Sequence, residues 1–354
     1  MSSSSSIENN KFHFSKFYSG EFEKVTEHIY RLNIPYAIAD KFLPKFTIPV
    51  SVFLVHDSAQ SRYSLIDVGP PGYEEMVMKG LAKFFDHDSQ HEDHKNQRNA
   101  LSEIDHVLIT HFHIDHCGGV RKLWECSEQS LNVYSHSEDL EYIRDGKKFK
   151  EQKSEYWLFG MTKYLFSDPK MEVPCQTFNV IMNSKEDTVR SNLKEERSNN
   201  PTNDRSAQNN ELHQKSIQYS EQVNSMEEQS PSNTHRHCLC ACHCPGHTAG
   251  HTCFYHEEDR VLLCGGKFFA WQDEILQQQL IDNHLLLDAL QNLSKKKSKL
   301  EYSYAPSSFN ISLAKQNIKR LIRDMSKEID LILPSHSYSM NGHTIEEVLK
   351  FVNK

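Results

Sequence analysis

The segment Thr110–Gly119 reads Thr-His-Phe-His-Ile-Asp-His-Cys-Gly-Gly, and it determines the fold that this sequence predicts. The apolar run Val107-Leu-Ile109 comes immediately before it and predicts a buried strand. The two glycines at its end predict a turn. Between strand and turn stand four side chains of the kind that bind metal ions: His111, His113, Asp115 and His116.

The spacing of these four side chains predicts two neighbouring binding positions. Residues two apart on a strand project from the same face, so we expect His111 and His113 to bind one cation together. The bend that follows would direct Asp115 and His116 towards a neighbouring point. A solvated histidine-rich loop is the alternative, but such a loop rarely follows a buried strand and ends in two glycines.

Composition limits the classes of protein to consider. The chain has 354 residues, enough for one large domain or two modest ones, and 37% of them are hydrophobic, which predicts that part of the chain is not packed. The net charge of −8 argues against a nucleic-acid-binding surface, which is normally basic. We therefore expect a small-molecule substrate and no nucleic-acid partner. The sequence gives no indication of the oligomeric state.

The beginning of the chain and its cysteines predict a cytoplasmic protein. Met1-Ser-Ser-Ser-Ser-Ser6 lacks the charged and apolar regions of a signal peptide, and no apolar run approaches the 18 or so residues of a membrane span. We expect no membrane association. The nine cysteines are then expected to be free or metal-bound rather than paired in disulfides.

One interrupted domain accounts for the pattern along the chain. Residues 184–236 are rich in Ser, Asn, Glu and Gln and show no helical or strand periodicity, which predicts a disordered insertion. Residues 1–20 are predicted to be a flexible N-terminus. The first half of the domain then covers residues 21–183, and the second half covers residues 237–354.

Strands and helices are predicted in both halves. The predicted strands are 28–32, 48–55, 63–68, 104–109, 132–135, 238–244, 253–256, 260–264 and 329–334. The predicted helices are 73–85, 279–298, 312–327 and one that begins at 344, and residues 86–99 are predicted to form a surface loop. Because each half begins with strands, the sequence predicts an α+β fold in which two β-sheets stack face to face with helices outside.

Two further loops carry histidines directly after or before predicted strands. They are Pro245-Gly-His-Thr-Ala-Gly-His251 and Pro334-Ser-His-Ser337. Together with Thr110–Gly119 they resemble the signature of the metallo-β-lactamase superfamily, which includes glyoxalase-II-type thioesterases and acyl-homoserine lactonases. The resemblance covers residues 25–183 and 237–354. It implies a four-layer αββα sandwich of two packed mixed β-sheets with outer helices.

The resemblance also implies a metal-binding role for individual residues. A first zinc ion would be bound by His111, His113 and His247. A second zinc ion would be bound by Asp115, His116 and His336. Asp67, in Leu65-Ile-Asp-Val-Gly69, matches the buried aspartate that orients the ligand loops through hydrogen bonds. His251 matches a position that is usually structural.

The chemistry of these residues agrees with the resemblance. Imidazole nitrogens and carboxylate oxygens suit zinc, and zinc lowers the pKa of its bound water to about 7. The expected function is a zinc-dependent hydrolase in which a metal-bound hydroxide attacks a small carbonyl substrate: a thioester, lactone, ester or β-lactam. Asp115 would bind metal and also accept or pass a proton, which makes it the predicted catalytic residue. A nuclease or phosphodiesterase relative is the less favoured alternative.

The sequence departs from the family pattern after the strand at 260–264. The family has an aspartate there that bridges both metals, but Val261-Leu-Leu-Cys-Gly-Gly-Lys-Phe-Phe269 places Gly266 at that position. The ammonium group of Lys267 is no ligand. Neither Cys264 nor Asp273 is at the right distance in the sequence to replace the aspartate. Three outcomes follow: one zinc, two zinc ions held more loosely, or a metal-binding protein that has lost catalysis.

The alternating cysteines Cys238, Cys240, Cys242 and Cys244 form a second unusual motif. Alternate residues of a strand share a face and lie about 7 Å apart, too far for four thiolates to bind one zinc. Free cysteine behaves as a small apolar residue. The sequence therefore favours a sulfur-lined core face over an accessory metal or redox site.

Overall fold

The computed structural model of the chain describes residues 17–38, 46–58, 61–85, 100–145, 173–177, 239–270, 300–302, 310–337, 339 and 341–352. These residues belong to one compact unit that resumes at Cys238. The predicted insertion, the surface loop at 86–99 and the helix at 279–298 lie outside the described residues. The four-part division of the chain therefore stays a prediction.

In the described part of the chain, the first sheet has seven strands in sequence order. The strands are β1 (Glu23–Lys24), β2 (Ile29–Ile38), β3 (Phe46–Asp57), β4 (Arg62–Ile66), β5 (Ile104–Leu108), β6 (Asn132–Ser135) and β7 (Cys175–Thr177). The sheet is mixed: β1 to β4 pair antiparallel, and β4 to β7 pair parallel. Residues 50–55 of β3 are buried without alternation, which is expected of a strand covered on both faces.

Among the residues that the structure describes, the second sheet has five strands in the order β15-β13-β10-β9-β8. The strands are β8 (Leu239–His243), β9 (Thr252–His256), β10 (Val261–Leu263), β13 (Leu331–Leu333) and β15 (His343–Thr344). This sheet is also mixed, since β10 pairs parallel with β13 and antiparallel with β9. A third, small sheet was not predicted; it contains β11 (Phe268–Ala270), β12 (Leu300–Tyr302) and β14 (His336–Ser337).

Six helices have bounds within the described part of the chain, and residues 100–102 are also helical. They are α1 (Glu74–Phe84), α2 (Ile114–Cys117), α3 (Val120–Cys126), α4 (Ser137–Asp145), α5 (Ile311–Asp324) and α6 (Ile345–Val352). Helix α5 begins where the Asn310 side chain accepts a hydrogen bond from the Leu313 amide, at 3.0 Å. Among the described residues, no helix has the length and apolar character needed to cross a membrane.

Three apolar cores define the layers. The middle core joins the facing sheets and includes Phe53 and Ile66 of the first sheet with Phe254 and Leu263 of the second. A second core lies between the first sheet and α1 and α3, and a third lies between the second sheet and α5 and α6. The layers therefore follow the order helix, sheet, sheet, helix, which confirms the predicted four-layer αββα sandwich.

Cysteines line the core that the second sheet forms with α5 and α6. Cys240, Cys242 and Cys244 are buried there together with Cys253 and Cys264. Burial raises the pKa of the Cys242 thiol, which keeps it protonated. No group of metal-ligand side chains among the described residues contains a cysteine. The predicted sulfur-lined face is confirmed for these three members of the motif, and Cys238 lies outside the described residues.

Candidate metal centre

The loop after β5 brings two of the predicted ligands to the edge of the first sheet. Strand β5 ends at Leu108, two residues before Thr110, because Asp67 rather than a neighbouring strand accepts the Thr110 amide, at 2.8 Å. His111 and His113 therefore lie on a loop, and the expectation that they share a strand face was wrong. Asp115 and the next histidine follow in the single turn of α2.

Three imidazoles form the first group, which contains His111, His113 and His247. His247 Nε2 lies 3.0 Å from His113 Nδ1 and 3.1 Å from His111 Nε2. All three side chains are buried. Nitrogen atoms that bind one tetrahedral zinc ion are about 3.3 Å apart, so the donor atoms fit a shared zinc ion.

The second group contains Asp115, His116 and His336. The Nε2 atoms of the two histidines are 3.2 Å apart. Asp115 Oδ2 lies 3.3 Å from His336 Nε2 and 3.5 Å from His116 Nε2. The two groups together contain all six residues that the resemblance implies as ligands. Their binding of metal stays a prediction.

Hydrogen bonds to the other ring nitrogens orient two of these imidazoles. Nδ1 of His116 lies 2.7 Å from Asp67 Oδ2, and Nδ1 of His336 lies 2.9 Å from the Pro49 carbonyl. A carboxylate and a carbonyl only accept, so we assign the proton of each ring to Nδ1. Each Nε2 then keeps its lone pair towards the other group members, which is the arrangement that metal binding requires.

Asp67 lies at the centre of these hydrogen bonds. It is fully buried and accepts hydrogen bonds from the amide and the hydroxyl of Thr110 as well as from His116. Its φ of 58° places it in the left-handed region, which aspartate adopts more readily than most residues. Strained backbone of this kind is common where a structure fixes a functional site.

A second carboxylate that holds the ligand loops in place is that of Asp139 on α4. The sequence analysis did not predict this role. Its side chain accepts the Phe112 amide at 3.2 Å, the Thr248 hydroxyl at 2.6 Å and the Gly250 amide at 2.7 Å. It therefore joins the loop that carries His111 to the loop that carries His247. These partners lie 27 to 111 residues away in the chain, so no local pattern marked Asp139.

The charges of the second group favour cation binding. Burial acts to raise the pKa of Asp115, but the nearby His116 and His336 outweigh it and hold this pKa well below its usual range. Asp115 is therefore ionised at neutral pH. Burial and the neighbouring imidazoles lower the pKa of His111, so its ring is neutral. An ionised carboxylate and a neutral imidazole are the forms that bind metal.

The burial of Asp139 predicts a pH dependence of stability. Burial, which outweighs its three hydrogen bonds, raises its pKa to about 6, above the unfolded value of about 3.9. The resulting stabilisation is complete below the unfolded pKa and is lost as the pH rises through the folded pKa. We expect the free energy of unfolding of the metal-free chain to fall by roughly 2 kcal/mol between pH 4.5 and 7, relative to Asp139→Asn. Urea denaturation measures this difference, and parallel pH profiles for the two chains would contradict it.

Gly266 lies directly against the first group. A Cβ atom added there would be 2.7 Å from His247 Nε2 and 3.2 Å from His111 Cε1. Position 266 therefore faces the candidate metal centre, but it contributes no carboxylate. Cys264 is buried in the core beneath α5 and α6 and does not replace one. The side chains of Lys267 and Asp273 lie outside those that the structure describes.

His251 is buried beside the first group but is not a member of it. Its ring centroid lies 4.9 Å from that of His111. This position is compatible with the structural role that the resemblance implied.

A third group, His28, His256 and Asp259, lies at the other end of β3. Asp259 accepts hydrogen bonds from the Thr26 hydroxyl, the His28 amide and the His28 ring. The Asp259 amide in turn donates to His256 Nδ1, at 3.1 Å. Because these donors and acceptors already bind one another, we assign this group a structural role that connects the two sheets.

Residues 47–191 match the family model of the metallo-beta-lactamase superfamily. A search of curated proteins finds no match. Among solved structures, the chain is similar to VMB-1 at pH 5.5, with 12% identity, coverage of 94% of each chain and a TM-score of 0.46.

Two further solved structures are similar at comparable levels. One is TTHA1623 in a di-iron-bound form, with 16% identity, coverage of 88% of this chain and 95% of that chain, and a TM-score of 0.42. The other is an N-acyl homoserine lactone hydrolase with its product bound at the catalytic metal center, with 12% identity, coverage of 89% and 95%, and a TM-score of 0.42. The family match confirms the predicted resemblance, because residues 47–191 match the model of the metallo-beta-lactamase superfamily.

Proposed function

We propose that this protein is a zinc-dependent hydrolase that acts on a small carbonyl substrate: a thioester, lactone, ester or β-lactam. The observation that supports the proposal most strongly is the convergence of three distant loops on two adjoining groups of ligand atoms. His113 and Asp115, two residues apart, belong to different groups, so the two candidate metal positions are neighbours. Two metals about 3.5–4 Å apart are typical of hydrolytic centres.

Each group has a distinct role in this proposal. His111, His113 and His247 would hold the first ion, and Asp115, His116 and His336 the second. Bound zinc would supply an activated water at neutral pH and would polarise the carbonyl oxygen of the substrate. Iron is the alternative metal, because imidazole and carboxylate ligands suit both.

Asp115 is the proposed proton carrier. Its side chain is 18% exposed, whereas the side chains of His116 and His336 are 0% and 4% exposed, so Asp115 is the member of its group that substrate and water reach. Its ionised carboxylate has lone pairs that can accept a hydrogen bond from the attacking water, and bound zinc would make that water acidic enough to pass on its proton. The same carboxyl group can then deliver the proton to the leaving group.

A metal-binding homologue without catalysis is the second candidate, and Gly266 is the observation that favours it. Replacing the family's bridging aspartate with glycine removes one ligand and one negative charge, which weakens the second position most. The two candidates differ in what Gly266→Asp does. An impaired homologue gains a second metal and new activity, whereas an active hydrolase is already active with glycine.

Removal of metal gives the most general test. We expect the zinc-loaded chain to hydrolyse at least one member of a panel of thioester, lactone, ester and β-lactam substrates. A chelator should reduce that rate by about a thousandfold or more, and added zinc should restore it, because the metal supplies the nucleophile. A zinc-loaded chain with no turnover of any of these substrates supports the non-catalytic candidate instead.

A further inference from the structure

The hydroxyl of Thr110 lies between the Asp67 carboxylate and a member of the first ligand group. Its Oγ1 atom is 2.8 Å from Asp67 Oδ2, 3.0 Å from Asp67 Oδ1 and 2.9 Å from His111 Nδ1. All three side chains are buried. The Thr110 hydroxyl therefore connects the first ligand group to a carboxylate that also bonds the His116 ring of the second.

The direction of these hydrogen bonds follows from the protons that each group carries. A carboxylate only accepts, so the single hydroxyl proton of Thr110 points to Asp67. The His111 ring is neutral, because burial and the neighbouring imidazoles lower its pKa, and it carries one proton. The hydroxyl oxygen has lone pairs left to accept that proton from Nδ1. His111 Nε2 then keeps its lone pair, and this atom lies 3.1 Å from His247 Nε2.

The surrounding backbone holds Thr110 in one position. Its amide donates to Asp67 Oδ1 at 2.8 Å, and its carbonyl accepts from the Thr252 amide at 2.9 Å. Gly265, with a φ of 53°, packs so closely that a Cβ atom there would lie 2.8 Å from Thr110 Oγ1. A side chain fixed in this way can orient a metal ligand.

We propose that Thr110 is a positioning residue for the first metal: its hydroxyl relays a hydrogen bond from His111 to Asp67 and so fixes the tautomer and the orientation of this ligand. The inference rests on the proposed zinc-dependent hydrolase and concerns how its metals are held. Asp67 supports the second group through His116 without Thr110. Loss of the Thr110 hydroxyl should therefore weaken the first position and spare the second.

Thr110→Val and Thr110→Ser form a matched pair, since valine keeps the shape without the hydroxyl and serine keeps the hydroxyl. Each position is measured alone by metal-buffered zinc titration, the first in a His336→Ala background and the second in a His113→Ala background. Thr110→Val should bind zinc at the first position about 10–100-fold more weakly, the usual loss when the hydrogen-bond partner of a ligand is removed. The second position should change by less than about twofold, and Thr110→Ser should restore most of the loss at the first.

The tautomer of His111 gives a readout that needs no metal. In the metal-free wild-type chain, heteronuclear NMR of the imidazole nitrogens should place the proton on Nδ1. In Thr110→Val both tautomers should be populated, because Nδ1 has lost its acceptor. A role limited to packing would leave the tautomer unchanged, since valine fills the same volume.

Thr26→Val is the control for the general cost of losing such a hydroxyl. The Thr26 hydroxyl also donates to a carboxylate, that of Asp259, in the third group at the other end of β3. Its zinc affinity at both positions should stay within about twofold of wild type. Urea denaturation of the two metal-free valine variants compares their stabilities, so that a loss of zinc affinity in Thr110→Val alone reports the relay.

The outcomes separate this inference from the proposed function. If the wild-type chain binds zinc at both positions but Thr110→Val changes neither the first affinity nor the His111 tautomer, the inference is overturned and the hydrolase proposal stands. Equal weakening of both positions, or a serine variant no better than the valine variant, overturns it as well. Should Thr110→Val fail to fold, a proton on His111 Nε2 in the metal-free wild type overturns it and a proton on Nδ1 supports it. If the chain binds no zinc at all, the proposed function fails and the inference fails with it.

Discussion

Replacing His113 with alanine is expected to abolish hydrolysis and to empty the first metal position. His113 Nδ1 lies 3.0 Å from His247 Nε2, so the substitution removes one of the three nitrogens that enclose this position. A methyl group offers no ligand atom in its place. Because the metal provides both the activated water and the polarisation of the carbonyl, we expect kcat/KM to fall by at least about a thousandfold.

His106→Ala is the control for this substitution. His106 lies on β5, is partly exposed, lies 3.4 Å from the adjacent Asp105 and belongs to neither ligand group. Activity and metal content should stay within about twofold of wild type, as is usual for surface substitutions. A His113→Ala enzyme that keeps more than a tenth of wild-type activity would show that hydrolysis does not use the first group.

Asp115→Asn is expected to have the second largest effect. The amide has nearly the shape of the carboxylate, but it carries no negative charge and accepts no proton from water. We expect a loss of about 10²–10⁴ in kcat, the range that general acid–base groups contribute. The second metal should also bind more weakly, since Asp115 is the only anionic member of its group.

Measuring the metal content of Asp115→Asn distinguishes the two proposed roles of Asp115, which are proton transfer and metal binding. A variant that keeps both metals and loses activity points to proton transfer, and a variant that loses one metal points to ligation. Asp105→Asn, at a partly exposed carboxylate paired with Arg62, is the matched control and should leave both unchanged. Full activity in Asp115→Asn would exclude both roles.

The layers of the fold could be predicted from the sequence because its long strands contain runs of apolar residues. Residues 48–55 and 104–109 each contain enough consecutive apolar residues to indicate a buried strand. The third sheet could not be predicted in this way. Strands β11, β12 and β14 have two or three residues each, which is too few to show a period.

The sequence predicted the part of the candidate site whose ligand residues lie close together in the chain. The candidate ligands in residues 111–116 lie in one short segment. The loops that carry His247 and His336 were identified through the resemblance to the family. The local backbone was not predictable, because the end of β5 depends on Asp67, 43 residues before Thr110. Asp139 was missed for the same reason, since its hydrogen-bond partners are brought to it only by the folded chain.

The proposed function requires that the three loops enclose two neighbouring metal ions. Equilibrium zinc titration of the wild-type chain, with His113→Ala and His336→Ala in parallel, tests it most directly. Two equivalents are predicted for the wild type and one for each variant, with a different site lost in each case. A wild-type chain that binds no zinc, or variants that both keep two equivalents, would contradict the claim.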